Sequence, residues 1–286
     1  MVVGGNQKGD YNKAMRLLLF GSLLTAASWW LAWSQTSALS LYYFPPLWIG
    51  FILIVNGLSE FLFGDSLIRR MGWRFAILFI VSIPLWWFFE WLNMIVLNWF
   101  YIIPLTWTPT TILVMKTISF ATVIPAVCSV AFLLATLFRR KKWFAFMPHV
   151  APLQMAGSLA LLATAGIYLM TLFPHELFPL VWLAPLFILD ALNYRLGIPS
   201  IYGACADGNW RLVAAFSLGT LLTGFFWEMW NFYAMPKWIY EIPHVEFWHV
   251  FEMPILGYLG YLPFGLFVFS FTTLALTFVG RKLPLS

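Results

Sequence analysis

Residues 72–104 read GWRFAILFIVSIPLWWFFEWLNMIVLNWFYIIP. Between Arg74 and Asn98 the only charged side chain is Glu90. About 20 apolar residues at 1.5 Å each cross the hydrocarbon core of a bilayer, so 73–97 is expected to be a membrane-spanning helix. Working outward, seven more such runs are delimited by polar or Pro/Gly-rich breaks: 16–34, 46–64, 109–138, 153–172, 180–197, 210–233 and 251–279. The expected fold class is an all-α integral membrane protein with eight transmembrane helices.

Composition agrees. Of 286 residues, 62% are apolar, 20% aromatic and 9% charged. An ordinary soluble domain carries about 25% charged residues, and a chain this apolar cannot hide its hydrophobic surface in one water-soluble core. Disorder, collagen and coiled coil are excluded by the same figures. Cys128 lies in an apolar run and Cys205 in a polar loop, which argues against a disulfide framework. The net charge of +5 does not indicate nucleic acid, because the basic residues sit at the ends of apolar segments.

Their distribution orients the chain. Fourteen of the sixteen basic residues fall on one side of an eight-span arrangement. They are Lys8, Lys13 and Arg16; Arg69, Arg70 and Arg74; Arg139 to Lys142; Arg195 and Arg211; and Arg281 and Lys282. The positive-inside rule then puts both termini in the cytoplasm, as expected of a multi-pass protein of a prokaryotic inner membrane. A cleaved signal peptide is the alternative for the first span. Trp29, Trp30 and Trp33 crowd the place of a small-residue cleavage site, and the run has a counterpart in mid-chain.

That counterpart belongs to a tandem repeat. Glu90-x-x-Asn93 followed by Trp99-x-Tyr101-x-x-Pro104 matches Glu228-x-x-Asn231 followed by Trp238-x-Tyr240-x-x-Pro243. Phe44-Pro45, Trp48 and Asn56 match Phe178-Pro179, Trp182 and Asp190; Pro125 matches Pro263. Four spans per half is an even number, so both halves face the same way and form a parallel 4+4 repeat. Residues 1–142 form one unit and 143–286 the other.

Acidic residues are few enough to sort one by one. Those not assigned to loops or span ends are Glu90, Asp190, Glu228 and, at the outer mouth of the last span, Glu252. A carboxylate in hydrocarbon costs several kcal/mol unless paired, hydrated or protonated, which marks these as functional candidates. Glu90 shares a helix face with Asn93, and Glu228 with Asn231, each Glu roughly 10 Å below the outer end of its span. The repeat predicts that the two pairs line one central site; alternatively each pair cross-links its own half.

The halves differ. Lys116 lies at nearly the depth of Glu90 and is expected to form an ion pair with it, whereas Glu228 is expected near Glu252 and His249, with His244 in the same stretch. Carboxylates and histidine together suit proton transfer. Glu228, Glu252, His249 and Asp190 are therefore candidate catalytic residues, and Asn231, Asn93, Glu90, Trp227 and Trp230 candidate substrate contacts. His244-x4-His249 with Glu252 is not a recognised metal motif, so no metal is assigned. Asp190 and Asn56 equally suit a buried link between helices.

The rings around Glu90 and Glu228 suit an elongated apolar or polyene ligand, and equally a packed core. Residues 251–265 carry two prolines and three glycines, which predicts a broken or thinned helix beside a carboxylate. No Walker loop, dinucleotide fingerprint, CxxC, HExxH or GxSxG occurs, and the sequence names no cofactor.

A duplicated helical membrane unit with Asp190 in the sixth span and Glu252-Met253-Pro254 opening the eighth resembles the lycopene cyclase-like carotenoid enzymes. That resemblance implies acid residues that protonate a polyene. The family pattern is Pro-x-Glu-Glu, whereas here one Glu precedes the proline. Three functions follow as expectations: an enzyme doing acid–base chemistry on an isoprenoid or other lipid, a small-solute or proton-coupled transporter, and a non-catalytic subunit of a larger membrane complex binding pigment or lipid. The partner in the first is a membrane lipid or other hydrophobic small molecule.

Overall fold

The computed structural model describes residues 4–139 and 153–285, with side chains from residue 11 onward. Chain order is α1 (Gly4–Ser34), α2 (Phe44–Phe63), α3 (Leu67–Met71), α4 (Ala76–Val96), β1 (Trp99–Ile102), α5 (Pro109–Phe120) and α6 (Val123–Phe138). It continues with α7 (Leu153–Leu172), α8 (Pro174–Leu177), α9 (Leu180–Arg195), α10 (Ile201–Ala206) and α11 (Trp210–Asn231). The strands β2 (Lys237–Tyr240), β3 (His249–Val250) and β4 (Met253–Pro254) lead into α12 (Tyr261–Phe278). The expected join between the two halves falls in 140–152, outside the described residues.

Among the described residues, seven helical segments are long and apolar enough to cross a membrane: Tyr11–Ser34, Phe44–Phe63, Leu67–Val96, Pro109–Phe138, Leu153–Leu172, Trp210–Asn231 and Ile255–Phe278. The chain is a polytopic helical membrane protein. Of the eight expected spans, 180–197 is the one not among them. It forms the 16-residue helix α9, about 24 Å long against a core of about 30 Å, and carries Asp190, Asn193 and Arg195.

Local chemistry sets the boundaries. Gly64 closes α2 in the left-handed conformation (φ +69°), its N–H bonded to the Glu60 carbonyl. Ser66 caps α3 through the Arg69 N–H, and Ser200 caps α10 through the Gly203 N–H. The expected single span 109–138 is two helices broken at Ala121–Thr122. Pro125, lacking an N–H, falls in the first turn of α6, where that N–H would go unpaired anyway. Where hydrophobic drive between helices is absent, close backbone approach substitutes for it. A Cβ on Gly265 of α12 would lie 2.3 Å from the Phe216 carbonyl oxygen of α11.

The element packing has two matching sets of neighbours. α1 packs on α2 and α7 on α9; α2 on α6 and α9 on α12; α4 on α6 and α11 on α12. Crossing contacts join them, α6 against α11 and α12 against α4. The Trp48 ring meets Trp227 at 5.1 Å between centroids, and Trp182 meets Phe89 at 5.0 Å.

Above the helix ends two short strands pair antiparallel, with Trp99 opposite Tyr240, Phe100 opposite Ile239, Tyr101 opposite Trp238 and Ile102 opposite Lys237. A second small ribbon pairs His249 with Pro254 and Val250 with Met253. Residues 251–260 are therefore hairpin and 3-10 turns, and α12 begins only at Tyr261.

Candidate functional site

Asn93 and Asn231 each tie the end of a long helix to a strand. Asn93 Nδ2 donates to the Trp99 carbonyl at 2.7 Å while its Oδ1 accepts from the Asn98 and Trp99 N–H groups at 2.8 and 3.3 Å. Asn231 repeats the arrangement, donating to the Trp238 carbonyl at 2.7 Å and accepting from its N–H at 2.9 Å. Both asparagines thus shape the backbone.

One turn before each asparagine is a glutamate, and the two differ in environment. Glu90 Oε1 accepts from Tyr101 Oη (2.7 Å), Trp99 Nε1 (3.0 Å) and Trp86 Nε1 (3.2 Å), while Oε2 lies 2.5 Å from Lys116 Nζ. The ammonium also sits 4.0 Å from the centre of the Tyr101 ring, a cation–π contact. Glu90 is therefore a charge-matched carboxylate with every oxygen engaged.

Glu228 is fully buried. Its Oε1 accepts from Tyr261 Oη at 2.5 Å and Tyr240 Oη at 2.8 Å, and Tyr240 Oη in turn accepts from Trp238 Nε1 at 2.9 Å. Oε2 has no partner among the described residues, and no cation approaches the group. The Tyr261 ring occupies space that a side chain at 224 would take: a Cβ on Gly224 would lie 2.5 Å from it.

Burial, reinforced by the neighbouring Glu90 charge, holds the Tyr101 hydroxyl well above its usual titration range. Burial and then Glu228 do the same at Tyr240. Both phenols are therefore hydrogen-bond donors at any physiological pH.

Between these two clusters lies a partly enclosed cavity of about 140 Å³. Its walls are mainly aromatic, with Trp86, Trp99, Tyr101, Trp182, Trp227, Trp238, Tyr240, Tyr261 and Phe264; Lys116 and Lys237 also reach it. Phe89, Trp182 and Trp99 stack in sequence, 5.0 and 5.8 Å between centroids at 27° and 24°, and stiffen one wall. A dry apolar cavity of about 150 Å³ accommodates a benzene-sized group, so this one takes part of a lipid rather than a whole molecule.

Of the remaining sequence candidates, Glu252 stays near the cluster, whereas His249 and Asp190 lie apart from it. Glu252 forms an ion pair with Lys237, whose ammonium also donates to the Phe232 carbonyl. His249 sits on the exposed second ribbon, 3.1 Å from Glu246. Glu228 hydrogen-bonds to neither: its partners are tyrosines, because the 3-10 turns after Pro254 carry Tyr261 inward, while Glu252 stays near enough to act on it electrostatically as expected. Asp190 accepts from the Ile201 and Tyr202 N–H groups (2.8 and 2.7 Å) and from Ser270 Oγ (2.5 Å), fastening α10 and α12 to α9. Asn56 does the equivalent in the first half, accepting from the Ile68 N–H and donating to Ser129 Oγ, at 2.9 and 2.8 Å.

Trp227 lines the cavity, whereas Trp230 packs away from it against Trp48 and Phe51. Tyr240, Tyr261 and Trp182 were not singled out as site residues from the sequence. Tyr240 and Trp182 already stood in the matched motifs. Among the described residues no group of three His, Cys, Asp or Glu side chains is placed to hold a metal. The chain matches no family model, no curated protein and no solved structure.

Proposed function

We propose that this protein is a membrane-embedded enzyme that performs acid–base chemistry on the apolar part of an isoprenoid or other lipid, taken up from the outer leaflet. One observation carries the reading: a fully buried carboxyl group, Glu228, held on one oxygen by two cavity-lining tyrosines and unpartnered on the other. Without a cation beside it, the group is a proton store in a dry place. Glu228 does not itself line the cavity, whereas Tyr240 and Tyr261 do and both their hydroxyls bond Oε1, so a tyrosine hydroxyl passes its proton to the ligand and is refilled from Glu228. The carboxylate left behind is stabilised at Oε1 until the cationic ligand gives a proton back by the same route. Glu90, matched by Lys116, has no such freedom and serves to fix the wall that carries Trp86, Trp99 and Tyr101.

The architecture proposed with it is a parallel repeat of two four-helix units, with α9 preceded by α8 making the eighth crossing and both termini on the basic side. The paired neighbours, the twin asparagine clamps and the equivalent roles of Asn56 and Asp190 support it. So does the strand register: Trp99 faces Tyr240 as Trp238 faces Tyr101, the pattern of a two-fold axis passing between Phe100 and Ile239.

The test is lipid mass spectrometry of the purified protein and of the producing cells, wild type against Glu228→Gln and Tyr261→Phe. The expected result is a co-purifying apolar molecule that Glu228→Gln still binds but no longer converts, so that it accumulates, with Tyr261→Phe intermediate. Identical bound species and identical cellular lipids in wild type and Glu228→Gln would refute the assignment.

A further inference from the structure

At the opposite end of the molecule a second cavity, about 240 Å³, lies where α4 begins and α12 ends. It is bounded by Arg74 and Ile77 on one side and by Leu276, Arg281, Lys282 and Pro284 on the other. Arg70 holds this arrangement together: its guanidinium binds Asp65 Oδ2 at 2.8 Å and the Pro284 carbonyl at 3.3 Å, pinning the segment after α12 against α3. Asp65, the acid at this place, is thereby engaged. Arg74, Arg281 and Lys282 remain exposed, and among the described residues no carboxylate pairs with any of them.

The cavity also has an apolar side, facing the line along which α4 and α12 pack. Ile77 and Leu276 line it, and further along the two helices the Phe88 ring of α4 stacks on the Phe267 ring of α12 at 6.0 Å. Ile80 of α4 and Phe278 of α12 are 66% and 82% exposed, so no other described part of the chain covers them. Trp73, 77% exposed, stands at the same level with the Arg74 guanidinium 5.8 Å from its ring centre, a placement suited to the headgroup region.

Three uncompensated cations at the end of the spans, over an apolar seam that runs into the bilayer, match a molecule with an anionic head and a long apolar tail. We infer that this groove binds one anionic phospholipid, its phosphate between Arg74, Arg281 and Lys282 and an acyl chain along the α4–α12 seam. Guanidinium groups suit phosphate because they donate in pairs, and basic pockets between membrane helices hold anionic headgroups against the zwitterionic background. The site shares no residue with the aromatic cavity and does not depend on the function proposed for it.

The test is native mass spectrometry of the full chain in detergent, titrated with phosphatidylglycerol and with phosphatidylcholine of the same acyl chains. One phosphatidylglycerol is expected to be retained in preference to phosphatidylcholine, and the triple variant Arg74→Gln/Arg281→Gln/Lys282→Gln is expected to weaken that binding about tenfold or more. The charge-keeping triple Arg74→Lys/Arg281→Lys/Lys282→Arg should retain the preference and so separates loss of charge from loss of fold. Equal retention of the two lipids by the wild type would overturn the proposal, as would full preference in the Gln triple. Displacement of phosphatidylglycerol by millimolar glycerol phosphate would also overturn it, by assigning the cations to a soluble phosphate.

Discussion

Lys116 shows how much one side chain decides. The carboxyls of Glu90 and Glu228 occupy corresponding places, each ringed by indole and phenol donors, and only Glu90 has a cation. Replacing Lys116 by Met would leave Glu90 charged and nearly buried, at a cost of about 3 kcal/mol, the lower end of what removing one partner of a buried pair costs. The double variant Lys116→Met/Glu90→Gln removes the stranded charge and should recover most of the loss. Midpoints of thermal unfolding in detergent check this, and equal midpoints for single and double variants would contradict it. The depth and helix-face relation of these glutamates are legible in residues 90–93 and 228–231, because i,i+3 spacing and distance from the span end need no tertiary information. That Tyr261 completes the Glu228 cluster is not legible, since it depends on where the chain re-enters after the turns at 255–260.

At the scale of elements, the aromatic segments after the asparagines carry the weakest local signal. WFYI and KWIY are four-residue strands, too short for an alternation to emerge from sequence already crowded with apolar residues. Their pairing spans 135 to 141 positions of chain, a relation no local pattern encodes. The two clamps that hold them were visible as Asn93 and Asn231, though read as ligand contacts. Removing a clamp deletes two or three hydrogen bonds at about 1 kcal/mol each. Asn93→Ala and Asn231→Ala are therefore each expected to speed amide exchange across 99–102 and 237–240 by at least tenfold, with helices α2 and α6 unaffected. Hydrogen exchange read by mass spectrometry would give the answer, and unchanged protection of both strands would remove the clamps' assigned role. The split of 109–138 at Ala121–Thr122 and the shortening of 180–197 were hidden for a different reason: hydropathy measures how apolar a run is and says little about how straight it is.

For the whole molecule, the proposed eight-crossing topology makes a sharp prediction. Reporter fusions that discriminate the two sides of the membrane, placed after residues 72, 208 and 282, should report the cytoplasmic side, and those after 106, 176 and 246 the outer side. If 176 and 208 report the same side, α9 does not cross and the 4+4 arrangement fails. Membrane class and the basic end follow directly from composition and the placement of the arginines; the aromatic cavity does not, because its walls come from segments more than a hundred residues apart in the chain. The β1–β2 ribbon has a mechanical consequence for that cavity. It stitches the segment after α4 to the segment after α11, so the ends of these two helices are tied together over the cavity like the leaves of a book clipped at the open edge. Parting them would break that hydrogen-bonded ladder. On the proposed topology and function, a rocking motion that gapes toward the outside is therefore opposed by this ribbon, and a ligand is expected to reach the cavity sideways, between helices and out of the lipid.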